Sequence, residues 1–349
     1  MQLDSLDAAI KYFSRATRED WKKGAAKEID GNDPFASLSW RAEDNIVGLP
    51  YYDAGHVFNE QWSAVLRAAD QRSWLNLPFA ADSAAFAEEH LRSGADGVVF
   101  DWRQKEKEDS LNLKTDDNKA SLLGFYVKPG FAKPRPEAVA ELSRATVLFW
   151  DSIPNDDDIS ESSNIQHGIR VGSSTPAREV GEALAMGVAM FERLSLNYPG
   201  QDTFSRICIS LPANQKIAET VAKFRALRML WLQVARAYGL ERHKAEDIHL
   251  HARSEFVEDG HYGPQENMLK GTFSAVGAVL GGCNSLTVET AAEPAFARRW
   301  GRNLYHILKE ESFLDRVNDP AGGSFAIEAL TEEISRRAWE IFVKQVEEV

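Results

Sequence analysis

RICISLPANQKIAETVAKFRALRMLWLQVARAYGLERHKAEDIHLHA, residues 206–252, holds the pattern that decides the fold. It opens with an apolar run at 206–211 and continues with helical periodicity over 214–238. A second apolar run closes it at 247–252. Strand, helix and strand in succession are the unit from which parallel sheets are built. Asn214 stands where a helix N-cap belongs, and Gly239 where a C-terminal glycine belongs. In a strand alternate residues share a face, so Ile248, Leu250 and Ala252 are expected against the helical layer. His249 and His251 then point the other way.

The same alternation extends in both directions. Strands are expected at 74–77, 97–102, 122–127, 146–150, 168–171 and 284–288 as well, which makes eight in all. Helices are expected at 84–92, 136–143, 177–195 and 265–280, and two more, 293–310 and 326–348, follow the last strand. Eight strands alternating with helices predict an α/β fold, a TIM-type (β/α)8 barrel, with an open doubly wound sheet as the rival. The barrel is expected over 71–349. Residues 1–70 read as an N-terminal helical arm, with helices near 6–13 and 18–28 and a break at Asp30-Gly31-Asn32-Asp33-Pro34. Such an arm wraps the barrel or a partner. The helical pattern is still running at Val349, which predicts either a chain cut short or a linker leading into another domain.

The chain has 349 residues, with 40 Lys plus Arg against 53 Asp plus Glu, a net charge of −13 and a pI near 5.2. That balance argues against nucleic acid or an anionic membrane as the main partner. No apolar run is long enough to cross a bilayer, and the acidic, interrupted N-terminus lacks the form of a signal peptide. A cytoplasmic protein is expected. Two cysteines, Cys208 and Cys283, exclude a disulfide scaffold.

His249 and His251, two apart on one strand face, could share a metal ion in a barrel hydrolase, given further ligands. The alternative is a pair of hydrogen-bonded histidines. Asp247 to Ala252 nearly spells Asp-x-His-x-x-Gly, by which some enzymes ligate cobalamin through histidine. Ala252 occupies the glycine position, and the match reads as chance. Gly281-Gly282-Cys283-Asn284-Ser285-Leu286 looks like a phosphate loop but runs from helix into strand, the reverse of the usual order. It is expected to be a tight turn. Asp156-Asp157-Asp158 with Glu161, and the polar stretch 104–119, read as solvated loops. Cys208 reads as a small buried residue.

Phe224-Arg225-Ala226-Leu227-Arg228-Met229-Leu230-Trp231 resembles the Leu-Arg-Ala-Ala-Arg-Met-Leu-Trp helix of methylmalonyl-CoA mutases. Gly281 to Leu286 resembles their Gly-Gly-Thr-Gln-Ser-Leu. Gly301-Arg302-Asn303, Lys309-Glu310-Glu311-Ser312 and Asp319-Pro320-Ala321-Gly322-Gly323-Ser324 follow in the family's order. Upstream, Trp21, Asp33-Pro34, Leu38-Ser39-Trp40 and Leu49-Pro50-Tyr51-Tyr52 echo its N-terminal arm. The resemblance implies a barrel preceded by an arm, and the isomerisation of methylmalonyl-CoA and succinyl-CoA with adenosylcobalamin. Members resembling the catalytic chain thread coenzyme A through the barrel axis.

The sequence departs from the catalytic pattern. Arg72-Ser73-Trp74-Leu75-Asn76-Leu77 lacks the tyrosine and arginines that contact substrate. Val171-Gly172-Ser173-Ser174-Thr175-Pro176 stands where catalytic chains carry Gly-Tyr-His-Met, and loss of such a histidine costs about 10²–10⁴ in rate. The family's Arg-Thr-His-Ser-Gln becomes His249 to Arg253. The resemblance puts His249, His251 and Ser285 at substrate-binding positions, and Gly282 and Glu293 near the cofactor. It assigns no catalytic residue and no metal ligand.

These departures resemble the small, non-catalytic subunit, the partner of a catalytic large subunit in a heterodimer. A homodimer of the isolated chain is the alternative state. Adenosylcobalamin is then expected in the assembled enzyme and not held tightly by this chain, whose 349 residues would lack the family's C-terminal cobalamin-binding domain. A diverged acyl-CoA mutase barrel, catalytic with a separate cobalamin-binding subunit, is the second reading.

Overall fold

The computed structural model describes residues 16–56, 64–67, 73–105, 113, 120–159, 162, 164–198, 200–241, 244–254, 263–289 and 295–348. The expected helix at 6–13 lies outside them. The chain divides into two compact units, Met1–Val57 and Phe58–Val349.

The first unit contains a helix at Arg18–Glu28, a short helix at Pro34–Leu38 and a two-stranded hairpin pairing Trp40–Arg41 with Val47–Gly48. Thr17 starts the long helix with a reciprocal capping box. Its hydroxyl accepts from Asp20 N, and the Asp20 carboxylate accepts from Thr17 N. The Trp21 ring packs against Phe35 at 5.4 Å and Tyr51 at 5.0 Å, giving this unit an aromatic centre.

The second unit is the barrel. Its strands are β1 (Leu75–Asn76), β2 (Gly97–Asp101), β3 (Ala120–Val127), β4 (Ser143–Trp150), β5 (Ile165–Arg170), β6 (Ile207–Ala213), β7 (His249–Ser254) and β8 (Ser285–Val288). They form one parallel sheet in the order β1-β8-β7-β6-β5-β4-β3-β2. The segment following β1 closes the ring against β2. Asp96 N donates to Asn76 O at 3.1 Å, Val99 N to Pro78 O at 3.0 Å and Ala80 N to Val99 O at 2.9 Å. Strands such as β3 and β4 are almost continuously apolar because both faces are covered.

The helices are α1 (Ala84–Arg92), α2 (Pro136–Leu142), α3 (Pro176–Ser195), α4 (Ile217–Ala237), α5 (Pro264–Leu280), α6 (Ala295–His306) and α7 (Phe325–Glu347). A π-helical turn, Ile307–Glu311, extends α6. Helix α7 lies over α3 and α4. A Cβ at Gly181 of α3 would stand 2.8 Å from the Ile341 side chain, so only glycine admits this close approach.

Three local expectations are corrected. Asn214 does not cap α4. Its side-chain carbonyl accepts from Lys216 N at 2.9 Å and from the Thr220 hydroxyl at 3.1 Å, an Asx-type turn that delays the helix to Ile217. Asp247 lies in a 3₁₀ turn, and β7 begins two residues later. Asp158 is buried rather than solvated, holding Lys133 at 3.0 Å and the backbone N–H of Gly130 and Asn155. Gly239 does end α4 with a positive φ of 71°.

Candidate functional site at the barrel axis

Alternate side chains of a barrel strand face the axis. Here the interior receives Leu77, Val99, Leu122, Tyr126, Val147, Phe149 and Cys208, all buried, with Leu75 and Phe79 packed on them. Phe149 of β4 reaches across. A Cβ at Gly168 of β5 would lie 2.6 Å from its ring, and one at Gly124 of β3 would lie 3.1 Å away. Glycines on both neighbouring strands therefore make room for the phenyl ring. It packs against His251 in a tilted arrangement, with centroids 4.8 Å apart and planes at 32°, and meets Tyr126 edge-on at 6.0 Å. The axis is filled by large side chains at this level.

Charged groups gather at the C-terminal ends of the strands, the face where barrel active sites are built. Arg103 grips Asp101 through Nε at 2.8 Å and Nη2 at 2.5 Å, and Arg170 donates to Asp151 at 3.1 Å. The Arg170 guanidinium lies 4.8 Å from the centre of the Tyr126 ring. Arg253 donates to Ser210 O and Oγ at 3.0 Å and to Val171 O. Burial pushes the Tyr126 phenol above its ordinary pKa, with Glu289 adding to the shift and the three arginines opposing it.

Below Phe149, His249 Nε2 and His251 Nδ1 both contact Ser285 Oγ, at 2.9 and 3.0 Å. One hydroxyl has one proton, so one imidazole donates to Ser285 and the other accepts from it. Burial, with Arg228 second, draws the His249 pKa down to about 4. Burial also holds His251 well below its ordinary value, helped by His249 and the arginines of the mouth. Both rings are neutral at pH 7.

Arg228 of α4 fixes this end of the barrel. It donates to Ala245 O, Ile248 O, Gly282 O and Asn284 Oδ1 at 2.6–2.8 Å, tying the approach to β7 to the approach to β8. Asn284 Oδ1 also accepts from Leu250 N at 2.9 Å. Burial lowers the Arg228 pKa to about 10.

The structure thus unites His249, His251 and Ser285. Gly282 lies apart, in the turn entering β8 at the opposite end from the mouth, with φ at 83°. Glu293 lies outside the described residues. Among the described residues no group of three His, Cys, Asp or Glu side chains is placed to hold a metal ion. Cys208 is fully buried in the apolar interior, which raises its thiol pKa well above the ordinary value.

A family model described as methylmalonyl-CoA mutase matches residues 121–349, well over half of the sequence. The chain belongs to the methylmalonyl-CoA mutase family. Among the family's curated members it is 36% identical to the "Methylmalonyl-CoA mutase small subunit" of Streptomyces virginiae over 234 residues, which is 65% of this chain and 36% of that protein. It is 32% identical to the protein of the same name from Porphyromonas gingivalis, over 48% of this chain and 28% of that one. Against the "Methylmalonyl-CoA mutase" of Rhizobium meliloti it is 34% identical, over 36% of this chain and 18% of that protein. The matched stretches thus amount to about a third or less of each relative.

Family membership implies adenosylcobalamin, and the described mouth residues do not fit it. Arg103 is paired with Asp101 and Arg170 with Asp151, so these charges are neutralised within the mouth. Phe149 and the mouth arginines were missed from sequence. Single glycines inside strands 3 and 5, which mark a close approach, were the available signal.

Proposed function

We propose that this chain acts as a small-subunit-like component of a cobalamin-dependent methylmalonyl-CoA mutase, supporting a catalytic large subunit in a heterodimer rather than turning over substrate itself. The observation that carries this reading is Phe149, seated between Gly124 and Gly168 and packed against His251, in the axis where a catalytic member would thread coenzyme A. The salt-bridged mouth supports it, as do the names of the small-subunit relatives. In this reading cobalamin belongs to the partner. The His249–Ser285–His251 chain is the remnant of a substrate path, in which Ser285 joins the two rings and His251 Nε2 is left without a partner. The partnership operates in the cytoplasm, in keeping with the absence, among the described residues, of any helix long and apolar enough to cross a membrane.

The test is calorimetric titration of coenzyme A and succinyl-CoA into the purified chain, with turnover assayed alone and with a catalytic large subunit. No binding and no turnover alone, together with a stable complex with the large chain, are expected. Saturable coenzyme A binding by the chain alone would favour the diverged catalytic barrel instead. The metal-hydrolase alternative has no third ligand among the described residues.

A further inference from the structure

Helix α7 packs along α4 on the outside of the barrel, and the two part over a groove of about 380 Å³. Met229 and Leu230 of α4 and Trp339 of α7 give it an apolar lining, beside Gln233. The α7 side carries acids. Arg336 donates to Glu333 at 2.8 Å and Glu340 at 2.6 Å, and Arg337 donates to Glu333 at 2.7 Å. Glu332, also lining the groove, makes no hydrogen bond or ion pair among the described residues. Burial, with Glu333 beside it, holds its carboxyl above the ordinary range. Glu332, Glu333 and Glu340 therefore face two guanidinium groups, which leaves one carboxylate without a cation.

An aliphatic lining, an indole and an unmatched carboxylate suit one kind of side chain. A long cationic residue lays its methylenes on Met229 and Leu230 and brings its head group to Trp339 and Glu332. Arginine fits better than lysine because its planar guanidinium can stack on the indole while it donates to the carboxylate. The net charge of −13 also steers a basic partner toward this chain.

We propose that the α4–α7 groove seats an arginine side chain presented by a basic partner protein. The proposal rests on the groove alone and stands or falls independently of the mutase-subunit reading.

The test uses the full chain labelled with 5-fluorotryptophan, the Trp339 resonance being assigned by Trp339→Phe. The probe is a synthetic amphipathic helix of leucine and arginine, with a leucine–glutamate peptide of equal length as control. The expected result is a saturable shift of the Trp339 resonance with the arginine peptide only. Affinity should fall about fivefold in Glu332→Gln, the loss of one charge contact. Asp156→Asn/Asp157→Asn, which removes acidic charge elsewhere, should leave it unchanged. Three results would each overturn the proposal: an unmoved Trp339 resonance, equal affinity in Glu332→Gln, or an equal loss in the double variant, since the last means diffuse attraction to an acidic protein.

Discussion

Phe149 is held in the axis by what its neighbours lack. Gly168→Ala would put a methyl group 2.6 Å from the ring, so it should destabilise the fold by about 1–3 kcal/mol through overpacking. Phe149→Ala alone should cost about 3–5 kcal/mol through the cavity it leaves. Together the two should cost less than their sum, because the alanine at 168 no longer meets a ring. Urea denaturation of the four proteins in a double-mutant cycle checks this, and strict additivity would show that the two sites do not touch. Arg228 is a second such residue. Arg228→Leu takes the Arg228 donors from three backbone carbonyls in a buried place and should lose about 3–5 kcal/mol in the same assay. The sequence made the direction of His249 and His251 readable because strand alternation is a backbone property. It did not reveal the shared hydroxyl of Ser285, 34 positions from His251, because that contact depends on which strands are neighbours.

All eight strands were legible, because each is a short apolar run bounded by polar or glycine punctuation, and their ends moved by at most about three residues. Element ends were less legible where side chains compete for backbone groups, as Asn214 does. What clamps the elements together was not legible at all. Lys223 of α4 donates to Glu179 of α3 and, at 2.7 Å, to Pro212 O of β6, and both charged residues are buried. Removing one partner leaves an isolated charge, so Lys223→Met should cost about 3–5 kcal/mol. Glu179→Leu/Lys223→Met should recover most of that loss, because apolar replacements remove both desolvation costs. Thermal unfolding of the single and double variants distinguishes this from a simple packing defect, in which the double would be worse than either single.

At the scale of the molecule, three histidines with lowered pKa values, His90, His249 and His251, set the acid limit. Burial holds His90 and His249 near pKa 4, and His251 also lies well below its ordinary value. Below pH 6.5 the unfolded chain takes up protons that the folded chain refuses. Their contribution to stability is therefore full above pH 6.5 and falls progressively toward pH 4. The urea midpoint should drop between pH 7 and pH 4.5, and His90→Leu should flatten that dependence. A midpoint that is level over this range would mean the imidazoles are charged in the folded state. The barrel could be read from sequence because it follows from local periodicity, whereas the blocked axis could not, because it arises from three strands meeting at one ring.

Ring closure also sets a schedule for synthesis. Strand β1 pairs with β8, and Thr287 Oγ1 donates to Leu77 O across 210 positions of sequence. On the ribosome the first strand therefore emerges long before its far neighbour exists. Until β8 leaves the exit tunnel the sheet has two open edges, and at about 5–20 residues per second that wait lasts some ten seconds or more. The nascent chain is most in need of a chaperone in that interval, and slow codons placed before residue 285 should lower the soluble yield.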